Sequence, residues 1–283
     1  MKTVAHSLNT LREFNANFWR KSVVNSFRPK IRINLNTKNY IIKTAATPLE
    51  LEKALLLRHE VFYRELLQHH RPLGLDIDHF DLQCDHLIIL DKRDLTCIGT
   101  YRLNPSYLNH HYYSAKEFFI ENILRLPGNK LELGRSCIHS DYRNGLGIAL
   151  LWRGLSAYIR ESGASYVFGC SSIVKKDELE IAALHKLLAK DYYSSDDQRV
   201  YPRRQFRIKN FDICTHELAV SPVDLVEGLS LRALPPLLRT YLNAGAKICG
   251  KPAYDRHFRC FDFFTILDIK HLNKAFEEKY DLA

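Results

Sequence analysis

The chain has 283 residues, 46% of them hydrophobic, and a formal net charge of +9. That length and apolar content bury a sizeable core and exclude a disordered chain, while no run reaches the roughly 18 apolar residues a bilayer-crossing helix needs. Seven cysteines at irregular spacings, with no CxxC pair, indicate neither a zinc site nor a disulfide framework, and they read as reduced, buried thiols of a cytoplasmic protein without a secretory signal.

The charge is unevenly placed. Residues 1–43 carry nine Lys or Arg against one acid, Glu13, so the remaining 240 residues hold almost no net charge. Phe14, Phe18, Trp19 and Phe27 alternate with these bases. A basic segment with interleaved aromatics suits an anionic membrane surface, and residues 1–38 are expected to form an amphipathic arm. The same segment can instead pack back on the domain, trail as a flexible tail, or meet nucleic acid.

Thr47-Pro48-Leu49-Glu50 opens a helix with a threonine cap, a first-turn proline and a capping-box glutamate, and that helix is expected to reach about Gln68. Arg58 falls on its apolar stripe with Leu51, Leu55 and Phe62. A buried arginine there needs an acid or a substrate anion, unless it snorkels to solvent. Next, Asp76, Asp78, Asp81 and Asp85 surround His79 and His86. The stretch lacks the glycine and terminal glutamate of a calcium loop, so these acids are expected to pair with nearby arginines, and no metal site is expected. His86–Leu90 and Leu95–Leu103 then read as a hairpin, with Arg102 near its end.

The stretch from Leu131 to Ile173 reads as strand, glycine-containing turn, amphipathic helix and second strand. Ile148, Leu151, Trp152, Leu155, Tyr158 and Ile159 lie on one helix face, and Tyr166–Phe168 should run parallel to Leu131–Leu133. The turn Arg143, Asn144, Gly145, Leu146, Gly147 precedes a helix N-terminus, where free NH groups and an arginine favour a phosphate; an ordinary turn is the plainer alternative. Further on, Lys176–Lys190 is a helix, Asp191–Lys209 a polar connection, Leu234–Leu242 a proline-started helix stopped by Gly245, and Asp262–Ile266 a final apolar strand.

LELGRSCIH, DYRNG, LLWRG and FGCSS, with CGKPAYDRHFRCFDFFTILDI near the end, resemble the bacterial ornithine N-acyltransferases, a GNAT-type family. The order Arg58, Phe62, Asp78, Asp81, Arg102, Glu132, Arg135 is similar to that of the related acyl-homoserine lactone synthases. The resemblance implies an α/β (α+β) three-layer GNAT-like fold over residues 39–271, with helices on both faces of a mixed, mostly antiparallel sheet and a splayed parallel pair that admits a thioester. Residues 272–283 form a tail. It further implies transfer of a 3-hydroxyacyl group from acyl carrier protein to the α-amine of L-ornithine, giving lyso-ornithine lipid at the inner face of the membrane. Arg143, Asn144, Gly145 and Gly147 would hold the phosphopantetheine phosphate. This loop is one residue shorter than the common Arg-x-x-Gly-x-Gly, which favours the carrier's single phosphate over the diphosphate of coenzyme A. Glu132 would be the base, or else a structural partner of Arg102 or Arg135; one of those arginines would bind the substrate carboxylate. Asp78 and Asp81 would attract ornithine's second amine or hold Arg58. Signal synthesis by the same chemistry, and non-catalytic binding of membrane or nucleic acid, are the alternatives.

Overall fold

A computed structural model of the protein describes residues 24–71, 74–174, 176–220, 231 and 234–280. The chain divides into two compact units, Met1–Asn104 with Arg135–Glu161, and Pro105–Gly134 with Ser162–Ala283.

The first unit is built on four strands, β1 (Asn34–Asn36), β2 (Tyr40–Thr44), β3 (Asp85–Asp91) and β4 (Cys97–Pro105), antiparallel in sequence order. The β3–β4 hairpin lies where the alternation of apolar residues around Asp91–Asp94 placed it. Helix α1 (Pro48–Arg58) starts as its sequence dictates, with Thr47 Oγ1 accepting the Glu50 NH at 3.2 Å. It does not continue as an α-helix to Gln68, because His59–Leu66 is π-helical. Val61, Phe62 and Tyr63, three adjacent large residues, are all at least partly buried. The wider turn accommodates neighbours that a 3.6-residue period would divide between faces. Helix α2, short, spans Glu121–Arg125 in the other unit; α3 (Leu146–Ser162) buries Leu151, Trp152, Leu155, Tyr158 and Ile159 as its spacing required. A Cβ on its Gly154 would meet Ile42 Cγ2 at 2.5 Å and Leu87 Cδ1 at 2.8 Å, so only glycine lets this helix lie on β2 and β3.

Residues 1–23, which hold most of the expected basic arm and its proposed membrane face, lie outside the described residues. From Val24 onward the segment packs on the first unit. Val24 and Phe27 are buried with Leu51, Leu55 and Ile88, and Asp85 accepts the backbone NH groups of Lys30 and Ile31, both at 2.8 Å. Among the described residues no helix is long and apolar enough to cross a membrane.

The second unit contains the expected parallel pair. Strand β6 (Asn129–Ile138) begins here, and its Lys130, Leu131 and Glu132 stand beside Tyr166, Val167 and Phe168 of β7 (Ala164–Val174). The parallel register ends at Glu132 and Phe168. Immediately beyond, a Cβ on Gly169 would collide with the Leu133 carbonyl oxygen, so glycine sets the closest approach where the strands part. On its other edge β7 pairs antiparallel with β11 (Cys260–Asp268), which carries β10 (Ala253–Asp255) and β9 (Lys247–Ile248). Helix α4 (Glu178–Asp191) starts with a full capping box between Asp177 and Glu180. Helices α5 (Phe211–Val220), α6 (Pro236–Ala244) and α7 (Lys274–Tyr280) complete the unit, α6 closing on Gly245 at φ 106°. The connection 191–209 is more than a polar loop. Val200 in it is fully buried, its NH donates to Cys249 O at 2.8 Å, and β8 (Tyr201–Pro202) pairs with β5 (Phe118–Phe119).

Candidate active site

In the first unit a network of three arginines and three aspartates gathers residues far apart in sequence. Arg58, at the end of α1 and fully buried, donates from Nε to Asp76 Oδ2 at 2.7 Å, from Nη1 to Asp81 Oδ1 at 2.7 Å and from Nη2 to Asp81 Oδ2 at 3.2 Å. Arg102, on β4, donates from Nη1 to Asp78 Oδ1 at 2.7 Å and to Asp81 Oδ1 at 3.1 Å, and lies 5.3 Å from the Phe80 ring centroid. Arg135, near the end of β6, reaches Asp78 Oδ2 from Nη2 at 3.2 Å and Asp76 Oδ2 from Nε at 3.3 Å. The acid-rich loop folds onto itself to present these oxygens, with Asp81 Oδ2 accepting the Asp78 NH at 2.7 Å. Phe62 packs at the margin of the same apolar cluster as Leu51 and Leu55.

The network is graded in exposure, and this separates scaffold from edge. The side chains of Arg58 and Asp81 are fully buried, whereas Arg135 is 12% and Asp78 19% exposed. Burial alone would raise the Asp81 carboxyl, but Arg58 and Arg102 outweigh it and hold it far below the usual range. Asp78 follows the same pattern, burial opposed and overcome by Arg102 and Arg135. His86 sits behind Asp81, its Nε2 at 2.8 Å from the Asp81 carbonyl oxygen, and burial pulls it down to about 4. Arg135 itself has φ +49°, a conformation that costs a non-glycine residue about 1–3 kcal/mol and persists only where the surroundings enforce it.

Glu132 is held in the second unit by a different set of partners. Its Oε1 accepts the Ser114 NH at 2.8 Å and the Ser114 hydroxyl at 2.6 Å, and its Oε2 accepts the Tyr113 NH at 3.0 Å. The alternative to a base role, a structural pairing with Arg102 or Arg135, is not what these contacts show. Burial and, secondarily, the charge of Glu132 push the Tyr112 phenol up to about 12. Beside the Tyr113 hydroxyl, which donates to Asp255 Oδ2 at 3.4 Å, lies a buried group of carboxyls, Glu117, Asp255 and Asp262, with oxygens within 4.8 Å of one another. Ser172 Oγ donates to Asp262 at 2.5 Å and the His257 NH to Asp255 at 2.7 Å.

The turn before α3 is already internally tied. Arg143 donates from Nε to Ile138 O at 2.9 Å and pairs from Nη2 with Glu65 at 2.7 Å, and Asn144 Oδ1 accepts the Leu146 NH at 3.2 Å. Gly145 has φ +90°, and a Cβ on Gly147 would meet Ile138 Cγ2 at 2.8 Å and Tyr142 O at 2.9 Å, which fixes glycine at both positions.

Sequence reasoning thus named Arg58, Asp78, Asp81, Arg102 and Arg135, which come together. It did not assign Asp76 to this network, although Asp76 stood in the acid-rich stretch. Ser114 and Tyr113, eighteen and nineteen residues before Glu132, carried no signal, because nothing in local spacing links a short helical turn to that strand.

A mostly antiparallel sheet with one internal parallel pair parting at Gly169, together with a helix-opening glycine turn, is the pattern of a GNAT-type acyltransferase, and a family profile described as Acetyltransferase (GNAT) domain matches residues 57–153. The L-ornithine N(alpha)-acyltransferase of Rhizobium meliloti (strain 1021) is 31% identical over 256 residues, covering 86% of this chain and 84% of the relative. That of Brucella abortus (strain 2308) is 30% identical, covering 84% and 88%. The chain belongs to the L-ornithine N(alpha)-acyltransferase family. Among solved structures, similarity extends to a CoA-dependent acyl-homoserine lactone synthase (TM-score 0.45, 16% identity, 82% of this chain and 80% of that one). An N-acyl amino acid synthase from uncultured soil microbes gives a TM-score of 0.46 at 10% identity, covering 83% and 93%.

Proposed function

We propose that the protein transfers a fatty acyl group, a 3-hydroxyacyl chain, from the phosphopantetheine of acyl carrier protein to the α-amine of L-ornithine, producing lyso-ornithine lipid. The observation that carries this reading is the family relationship across 86% of the chain. The residues supply a consistent chemistry. An α-amine is largely protonated at neutral pH and must lose a proton before it attacks the thioester carbonyl. Each carboxylate oxygen has about two acceptor positions. Glu132 Oε1 fills both with Ser114, but Oε2 uses one, for Tyr113, leaving a fixed acceptor for the amine. In this reading Glu132 takes the proton as the C–N bond forms. Backbone NH groups where β6 and β7 part receive the oxyanion, and the proton passes to the thiolate as the C–S bond breaks.

The graded network suggests how the acceptor is bound. Arg58, Arg102 and Asp81 would be the frame, with Phe62 against it. Arg135 and Asp78 at the exposed edge would meet the amino acid, the guanidinium taking its carboxylate. Arg143, Asn144, Gly145 and Gly147 would take the donor's phosphate, with Arg143 exchanging its surface pairing with Glu65 for that anion. Residues 1–43 would add contact with an anionic membrane surface.

The test is a purified assay with acyl carrier protein loaded with a 3-hydroxyacyl chain and L-ornithine, read by mass spectrometry of the amide. Glu132→Gln is expected to lower the rate by about two to four orders of magnitude, on the scale of general base catalysis, in a protein that still folds although the new amide NH2 faces a backbone NH or hydroxyl donor. Near-normal acylation by a folded Glu132→Gln protein would remove Glu132 from the mechanism. Failure of ornithine to accept an acyl group under any donor would overturn the proposed reaction.

A further inference from the structure

The second unit also holds a concave basic surface that the acyl-transfer reading does not use. Its cavity has a volume of about 440 Å³ and includes Arg207, Lys209, Arg256, Arg259 and, on its floor, Tyr254 and Phe261. Two of these cations, Arg207 and Lys209, come from residues 199–209, a stretch that contains no acid. Lys176 and the acids Asp177 and Glu178 also border the cavity; Lys176 pairs with Glu180 and Asp177 caps the helix, so the lining carries five cations against two acids. The other four cations are exposed and show no carboxylate partner among the described residues.

Two of the guanidinium groups are fixed by backbone oxygens. Arg207 Nε donates to Pro202 O at 3.3 Å, and Arg256 Nη1 donates to Gln205 O. Arg259 stands at the turn between β10 and β11 with φ +51°. The Tyr254 and Phe261 rings, 4.9 Å apart, give the floor an apolar character. Five cations against two acids leave this concavity with an excess of like charge that repels, and a polyanion occupying it compensates that excess. Planar, oriented guanidinium forks match phosphate oxygens in pairs. The volume suits a small molecule, being in the range of about 300–1,000 Å³ typical of such sites and far from the flat area of a protein interface.

We infer that this cavity is a second anion site, taking a small ligand that bears at least two phosphates. The class has two sources, a ring-bearing nucleotide bisphosphate and a simple linked phosphate, and binding by the full-length protein to adenosine 3′,5′-bisphosphate and to pyrophosphate separates them. Calorimetric binding that weakens as salt is raised is expected for at least one probe. Tighter binding of the nucleotide assigns a role to the Tyr254 floor, and equal binding assigns the site to phosphate alone. Arg256→Glu with Arg259→Glu is expected to weaken that binding about tenfold or more, a loss reproduced in part by the milder Arg256→Gln with Arg259→Gln. Retained affinity in both double variants, or binding only of an acidic helical peptide and of neither phosphate probe, would overturn the assignment. The site is independent of the acyl-transfer chemistry, so loss of either leaves the other standing.

Discussion

Asp81 and Asp262, each in its own group of acids, are driven in opposite directions by opposite means. In the first unit Asp76, Asp78 and Asp81 face Arg58, Arg102 and Arg135, and Asp81 is held far below the ordinary carboxyl range although burial pulls the other way. In the second unit Glu117, Asp255 and Asp262 face one another, and burial raises Asp262. The groups acting most strongly on Asp262 are Ser172, Glu117, Asp255 and Cys260, none of them a cation. The lesson is that burial does not by itself decide ionisation; the nearest fixed charge does. The signs for stability follow. Asp81 contributes stability that is present above its unfolded value near 3.8 and is lost as pH falls toward its depressed folded value. Asp262 contributes stability below 3.8 that is lost as pH rises through its raised folded value.

The comparison breaks most readily at Arg58. Arg58→Met removes one guanidinium and leaves Asp76 and Asp81 buried beside fewer donors, and an uncompensated buried charge of that kind costs about 3–5 kcal/mol. Denaturant unfolding should show that loss; a melting curve like the native one would mean the arginine is no keystone. The next effect is a pH dependence. His86 is pulled down to about 4 by burial from an ordinary 6.5, so it folds neutral, and stability should fall as pH drops from about 6.5 toward 4. The full span corresponds to about 3 kcal/mol, and the decline should be smaller in His86→Gln. A smaller effect, on packing alone, is expected at Gly169. Gly169→Ala presses a methyl against the Leu133 carbonyl and should cost about 1–3 kcal/mol, while slowing acyl transfer because the strands part at this point.

Much of this arrangement was legible in the sequence, for reasons that differ by element. Thr47 and Glu50 announced a helix start because capping is local, and the β3–β4 hairpin and the β6–β7 pair followed from apolar spacing and chain order. Arg58 stood out because a charge on an apolar stripe demands a partner. The π-helical turn at His59–Leu66 was not legible, since the same apolar residues satisfy either helix. The grip of Ser114 and Tyr113 on Glu132 was invisible as well, because those groups are mostly backbone NH donors, which every residue possesses. The cluster of Glu117, Asp255 and Asp262 joins segments more than a hundred residues apart, and Asp262, though set in an apolar strand, gives no local sign of which groups it meets.

The smallest expected effect is the most discriminating one. Asn has the shape of a protonated Asp without its titration, so Asp262→Asn replaces the group by a mimic of the state that burial favours. Ser172 Oγ, which donates to Asp262 Oδ1 at 2.5 Å, keeps an oxygen acceptor in the variant. Near pH 4 the two proteins should therefore differ by about 1 kcal/mol or less, the scale of a single neutral hydrogen bond. As pH rises the native protein must either keep its proton against the solution or bury a charge beside Glu117 and Asp255, whereas the variant does neither. The stability of Asp262→Asn should thus gain on the native protein steadily with increasing pH. The equivalent change at Asp81 should behave in the opposite sense, falling behind the native protein as pH rises toward about 3.8 and staying behind by a constant amount above it, because there the charged form is the one the arginines select. Parallel pH curves for the two variants would show that Asp81 and Asp262 do not differ in ionisation, and that the group of Glu117, Asp255 and Asp262 has a counter-charge of its own.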